Sequence, residues 1–420
     1  MKKVTAFAFA SICLLSLSAC NSGNKDKAFK PQFDKETACS LMVRGHYENF
    51  EALTEEFREF NEYYPKVKLT YEYDKNHKKN ILEALKGDTP PDIFFTYSSL
   101  DYSTLKDYTE DLSAKDLGMD LSCIRDSLIY KDKDNAVPYL PIYTTSFGMM
   151  INENLFEKNG LKVPTTYQEL VTVCQSFKDK NVQYPMLGHN SMVLYPLYFP
   201  HFCANILGNQ EAINKLNALD ASAGEYMRSS LALAKDFIDK GFVNQEECAN
   251  IGDDYNKTIL RFFEGDVPMM LAKGSSFSGT EKRETQSDAF IANPFKYSFV
   301  PVPSTDKGGY FYNTVELCFS VNKQSKNLDM ANEFMRFLLA DNGHALNRMS
   351  KAKRMITPCK DLSYDASYTA FGKMDASRCI TPSQLNLTDA ADQQVRKAGT
   401  AVCQEGMSVD DAVKKFGQFE

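Results

Sequence analysis

The chain has no tryptophan, so any flat ligand face must be stacked by its 22 tyrosines and 29 phenylalanines. It has no Cys-x-x-Cys pair, and its five histidines (46, 77, 189, 201 and 344) show no HxH, HxxxH or HExxH spacing, so no bound metal is expected. The motifs GxSxG, the P-loop and a Gly-rich dinucleotide turn are missing, which leaves catalysis unsupported; no enzyme activity and no cofactor are expected. There is no basic cluster, and the formal charge is −7, which argues against nucleic acid as a partner. Internal repeats and low-complexity tracts are absent. After the first nineteen residues no run of 18 apolar residues occurs, so nothing later in the chain is expected to span a membrane.

The N-terminus carries the parts of an export signal. Lys2-Lys3 form a basic start, and Val4–Leu17 is an apolar stretch too short for a transmembrane helix. Leu17-Ser18-Ala19-Cys20 resembles the bacterial lipoprotein signal, which implies cleavage before Cys20 and acylation of its thiol and amine. Acyl chains bury enough CH₂ groups to hold a protein on a membrane. Loss of Lys2 and Lys3 takes the formal charge from −7 to −9. Residues 20–37 read as the lipidated cysteine and a polar, flexible tether. Nine cysteines remain in the mature chain (39, 123, 174, 203, 248, 318, 359, 379 and 403), an odd number in mostly apolar contexts. They read as buried free thiols acting as small hydrophobes, with a Cys379–Cys403 disulfide left open.

The roughly 380 residues that follow exceed one ordinary core and favour two lobes. Ser40–Val43 reads as a strand. Phe50, Leu53, Phe57, Phe60 and Tyr64 recur at helical spacing, Lys66–Tyr73 alternates as a strand, His77–Leu85 is an amphipathic helix, and Asp92–Thr96 is a buried strand. This β-α-β-α-β order predicts a parallel sheet whose ligands sit beyond the carboxyl ends of the strands. Ala136–Gly160 carries Pro138 and Pro141 in one apolar run and then enters another at Phe147–Ile151. Proline cannot donate to a ladder, so this stretch is expected to leave one lobe and enter the other, with Tyr143-Thr144-Thr145 at its centre. Tyr297–Pro303 and Met355–Pro358 read as a second and a third crossing. Thr165 or Thr166 should cap a helix running to Phe177, Val182–Leu187 reads as a strand, and Ser278–Ser287 as a surface loop. Leu328–Leu339 is an amphipathic helix ended by Asn342-Gly343.

Several segments, in order, are similar to one known family. They are Phe57–Phe60 with Tyr64–Val67; Leu85–Ile93; Val137-Pro138-Tyr139 leading to Met150-Ile151-Asn152; Val163–Leu170; Phe263–Met270; and Ala331–Phe334 with Phe337-Leu338. Together they resemble the extracellular solute-binding lipoproteins of carbohydrate ABC importers, the maltose-binding-protein-like group. The resemblance implies a two-lobed α/β fold of the type II periplasmic-binding-protein kind, mainly parallel sheets with flanking helices, and hinge crossings. It divides the chain into lobe 1 at 38–141 and 299–350 and lobe 2 at 142–298 and 351–420. It implies a monomer, anchored to the cell membrane outside the cytoplasm, that captures a sugar or oligosaccharide between the lobes and hands it to an ABC permease; a non-carbohydrate polar solute, or a glycan-binding or sensor role on the same fold, is the alternative. Members of the group usually stack sugar rings on tryptophan, and this chain departs from them there.

The ligand-binding candidates follow from strand ends and from that resemblance. Arg44, His46, Tyr47 and Glu48 follow the first strand, Tyr97 and Ser98 the third. Tyr143 and Thr144 lie at the crossing. His189 and Asn190 follow a second-lobe strand, Tyr195 belongs to an aromatic run, and Lys273, Gly274 and Ser275 end another strand. Tyr310 and Asn313 lie on the way back toward the hinge.

Overall fold

The computed structural model describes residues 28–97, 102–360 and 368–420. Ser98 and Cys20, the residue expected to be lipidated, lie outside the described residues. The strands are β1 (Cys39–Gly45), β2 (Val67–Tyr73), β3 (Ile93–Thr96), β4 (Leu140–Thr145), β5 (Phe147–Asn152), β6 (Met186–Leu187), β7 (Met269–Lys273), β8 (Tyr297–Val300), β9 (Pro303–Thr305), β10 (Gly308–Gly309), β11 (Phe311–Tyr312), β12 (Thr314–Val321) and β13 (Cys379–Ile380). Five of them form one sheet in the order β2-β1-β3-β12-β4, and four form a second in the order β6-β7-β5-β8.

The opening β-α-β-α-β unit is as the sequence pattern predicts. β1 runs parallel to both β2 and β3. All four residues of β3 are buried, which suits a short apolar strand covered on both faces. Helices Glu51–Tyr63 and Leu328–Ala352 supply Leu53, Phe57, Phe60, Phe334 and Leu338 to the core of this lobe. The long helix is interrupted at Ala340–Gly343, where Asp341, Asn342 and Gly343 all have positive φ. The second lobe packs helices Tyr167–Asp179, Tyr195–Ile206, Arg228–Asp239 and Asp389–Cys403 around its own core. The first of these begins with a capping box in which Thr166 and Glu169 bond reciprocally.

The sheets are mixed rather than mainly parallel. β12 is antiparallel to β3 and β4, and β5 is antiparallel to β7 and β8. Chain returns from the other lobe enter each sheet from the opposite end, so they cannot pair in parallel.

The crossings differ in position from the expected lobe limits. β4 is paired with β12 as far as Thr145, and β5 enters the second sheet at Phe147, so the first passage is the single residue Ser146 rather than position 142. β8 still pairs with β5, and Tyr312 packs in the second-lobe core, so the second passage is at Asn313 rather than 299. The prolines of 301–303 mark a side hairpin, β9–β10, not a change of lobe. The third passage surrounds Ile356, which forms an antiparallel bridge with Thr144. Residues 28–37, expected to belong to a flexible tether, are held against the first lobe. Phe29 stacks edge-on against Tyr63 and Phe337, and Gln32 N–H donates to Glu333 (3.0 Å), which pins this segment to the first lobe. Ser278–Ser287 contains a helical turn at Thr280–Glu284 rather than an open loop, and Val182–Leu187 is a strand only at its last two residues.

Candidate functional site

The two sheets face each other through matching edges. On the first lobe the carboxyl ends of β1 and β3 and the amino end of β12 lie together, because β12 is antiparallel to β3. That edge carries His46, Tyr47, Tyr97 and Glu316. On the second lobe the start of β5 pairs with the end of β7, and β6 runs parallel to β7. Its edge carries Lys273 and, just past β6, His189.

An ion pair closes the gap between these edges. Lys273 Nζ lies 2.5 Å from Glu316 Oε2, with both side chains about one-fifth exposed (22% and 20%). Burial pushes up the hydroxyls of Tyr47, Tyr97, Tyr143 and, from the opposite lobe, Tyr255, and the Glu316 carboxylate adds to each shift. Tyr255 is 40% exposed, and its ring meets that of buried His189 edge-on at 4.8 Å. His189 Nδ1 is 3.6 Å from Asp253, and neither ring nitrogen has a closer hydrogen-bond partner among the described residues. On the other side Tyr97 bonds His46 Nδ1, and Tyr143 Oη–H donates to Tyr47 Oη (2.5 Å). The result is a row of phenols and neutral imidazoles around one neutralised charge pair, with the Asp253 carboxylate beside His189.

His46 is held neutral. Burial lowers its pKa to about 4, with His77 adding to the shift and Glu316 opposing it. Burial also lowers His77, His189 and His201. These folded-state values lie below the unfolded value of 6.5, so the unfolded chain takes up the protons first. Stability should therefore be full above pH 6.5, fall as the pH drops below it, and level off near pH 4 as far as His46 is concerned. The His46 share is at most about 3 kcal/mol. Urea unfolding between pH 7.5 and 4.5 should show this loss, and His46→Gln should flatten part of it; a pH-independent midpoint over that range would contradict the assignment.

Beneath the cleft the three passages are tied by one arginine. Arg125 Nη1 donates to Asn313 Oδ1 (2.6 Å), and Nη2 donates to the Thr357 carbonyl (2.7 Å). Its backbone N–H donates to the Pro358 carbonyl (3.0 Å). Asn313 Nδ2 in turn donates to Thr144 Oγ1 (2.8 Å) and to the Thr145 carbonyl (3.1 Å). Thr144 and Ile356 exchange backbone bonds of 2.8 and 3.0 Å. All three passages thus share one hydrogen-bonded knot. Gly274 completes it: its N–H donates to the Ser146 carbonyl (2.8 Å), and a Cβ there would lie 2.4 Å from Thr145 Oγ1 and 2.6 Å from Tyr368 Oη. Only glycine lets β7 approach the passage this closely.

Of the residues singled out from sequence, His46, Tyr47, Tyr97, His189 and Lys273 stand on the two facing edges, and Tyr143, Thr144, Gly274 and Asn313 lie in the floor. Ser275 follows in the turn of helix Gly274–Ser278. Asn190 starts a 3-10 turn, its N–H bonded to the Gly252 carbonyl (3.0 Å) and its own carbonyl bonded by Gln404. Four others stand elsewhere or are engaged by other groups. Arg44 belongs to β1 itself, and its guanidinium is taken up by Glu72 (2.7 Å) and Asp74 (2.9 Å), a fork that ties strand β1 to β2. Glu48 is exposed beyond the strand end. Tyr195 is only 2% exposed, with its ring stacked on Phe199 in the second-lobe core. Tyr310 lies on the flank of that lobe under the Arg378 guanidinium, 4.4 Å from the ring centre. Sequence reasoning missed Arg125 and Tyr255. Tyr255 had one readable signal, an aromatic placed directly after the capping residue Asp254.

The chain belongs to the bacterial extracellular solute-binding protein family, whose model matches residues 45–345. The fold is shared with solved structures of low identity. RafE from Streptococcus pneumoniae, in its apo form, is 18% identical at a TM-score of 0.68, covering 92% of this chain and 99% of that one. A second RafE structure holds raffinose. The GacH receptor of Streptomyces glaucescens, solved unliganded and with acarbose, is 16% identical at a TM-score of 0.68, covering 91% and 97%. A sugar transporter from Bacillus licheniformis, in complex with stachyose, is 16% identical at a TM-score of 0.61, covering 90% and 98%. A search of curated proteins returned no match. The family and these neighbours are binding proteins. No helix among the described residues is long and apolar enough to cross a membrane.

Proposed function

We propose that the protein is the membrane-anchored substrate-binding component of an ABC importer, and that it captures a sugar or oligosaccharide between its lobes and delivers it to a permease without turning it over. The observation that carries this reading is the pairing of two strand-end edges over a three-passage hinge. His46, Tyr47, Tyr97 and Glu316 face His189, Tyr255 and Lys273. Tyrosine hydroxyls and neutral imidazoles both donate and accept, as sugar hydroxyls do, and the exposed Tyr255 ring offers an apolar face for a pyranose. Lys273 and Glu316 neutralise each other across the cleft, which suits an uncharged solute better than an ion. The neighbours solved with raffinose, acarbose and stachyose support the same class of ligand. Binding the closed arrangement more tightly than the open one is what converts capture into a signal for the permease.

Titration calorimetry of the mature chain against neutral oligosaccharides tests the solute class. One-to-one binding to at least one glycan is expected; binding to another class of solute alone would overturn the carbohydrate reading. The anchor is tested separately. Wild-type protein expressed in bacteria should incorporate labelled fatty acid and sediment with membranes, and Cys20→Ser should do neither. Equal labelling of the two would remove Cys20 as the lipidation site.

A further inference from the structure

None of the described cysteines is in a disulfide, and two of them meet at the hinge. Cys123 precedes Ile124-Arg125, and Cys359 follows the third passage. Ile124 bridges Cys359 in antiparallel register, the Lys360 N–H donates to the Cys123 carbonyl (2.7 Å), and the Arg125 N–H donates to that of Pro358 (3.0 Å). Both sulfurs pack against Gly343: a Cβ placed there would lie 2.4 Å from Cys359 Sγ and 3.5 Å from Cys123 Sγ. The Cys359 thiol is the neighbour that raises the Cys123 thiol most. Each also points its S–H at a carbonyl flanking the break in the long helix, Leu339 for Cys123 and Gly343 for Cys359 (3.8 Å in each case). Cys123 further lines a surface cavity of about 200 Å³ with Phe29, Asp120, Arg336 and Asn342, so a reagent has a route to it.

We propose that Cys123 and Cys359 form a reversible dithiol–disulfide site that fastens the hinge when the protein meets a disulfide oxidant. The chemistry balances as ordinary exchange. The Cys123 thiolate attacks one sulfur of the oxidant, releasing a thiolate. Cys359 then attacks the Cys123 sulfur of the mixed disulfide and releases the second. Two protein thiols give up two protons and two electrons, and the oxidant disulfide is reduced to two thiols. The new bond would fix the backbone bridge that presents Arg125 to Asn313, Thr144 and Thr357, and so restrict the passage at Ile356. The neighbouring Cys359 thiol pushes the Cys123 thiol up, with burial adding to it, so exchange should be slow at neutral pH and quicken as the pH rises. Cys174 and Cys203, buried in the second-lobe core away from the hinge, serve as controls.

The test treats the mature chain with an excess of oxidised glutathione at pH 8.5, blocks residual thiols, digests without reduction and maps linked peptides. The expected result is one cross-link, Cys123 to Cys359, with a mass loss of about 2 Da and full reversal by dithiothreitol. Cys123→Ser and Cys359→Ser should each abolish it, and Cys174→Ser should not. Amide exchange at Ile356 should slow severalfold in oxidised wild-type protein relative to the same sample reduced, a comparison that needs no variant to fold. A cross-link elsewhere, stable glutathione adducts without the cross-link, or unchanged exchange at Ile356 would each overturn the proposal.

Discussion

Replacing Arg125 with alanine should cost about 3 kcal/mol of folding stability, because several buried hydrogen-bonding groups lose a charged donor at once. Asn313 Oδ1 and the Thr357 carbonyl accept from its guanidinium at 2.6 and 2.7 Å, and Thr144 Oγ1 lies within 3.3 Å of the same group. Asn313 is 1% exposed and Thr144 fully buried, so water cannot simply take the place of the arginine. Arg125→Lys should recover only part of the loss, since a single ammonium cannot reach acceptors on three separate segments in one plane. Urea unfolding followed by circular dichroism measures it. A loss below about 0.5 kcal/mol would mean that the knot is not held by this residue. Because the acceptors belong to all three passages, ligand affinity should fall as well, even though Arg125 lies under the cleft rather than in it.

The second large effect concerns Tyr255. Tyr255→Ala should weaken binding of the cognate solute by about ten- to a hundredfold, the range expected for truncating one aromatic stacking platform. Stability should change little, because the ring is 40% exposed and makes its one close ring contact with His189. Tyr255→Phe should keep most of the affinity if the ring face does the work, and lose it if the hydroxyl does. Calorimetry on the three proteins separates these outcomes. Unchanged affinity in the alanine variant would place the solute elsewhere.

Much of the scaffold could be read from the chain. The five-element opening unit follows from strict alternation at 67–73 and helical periodicity at 50–64, and its hydrophobic faces point where those periods require. The capping box at Thr166 and the turn at Asn342-Gly343 are local chemistry, visible without any fold. Asn313 and Thr144, singled out from neighbouring strand ends, are hydrogen-bonded partners 169 residues apart. The losses have physical causes. A proline was read as a change of lobe at 301–303, where it only starts a side hairpin, because edge position and lobe passage impose the same constraint on the backbone. Tyr195 was grouped with cleft residues, yet an aromatic at a strand-to-helix junction can turn inward as readily as outward, and burial decided it. Arg125 sits among 3-10 turns with no periodicity to mark it; its importance arises only from carbonyls brought in by residues 313 and 357. Arg44, an attractive charge at a strand end, pairs instead with Glu72 on β2 and Asp74 just past it, pairings that depend on the register of β1 with β2.

Capture between the lobes is the centre of the account, and hydrogen exchange with and without a saturating oligosaccharide tests it most directly. Protection should appear on both sides of the cleft, around residues 46–48 and 314–316 of the first lobe and around 188–190, 253–256 and 273–276 of the second, with the passage residues 144–146 slowed as well. Protection confined to one lobe, or found only away from these segments, would contradict it.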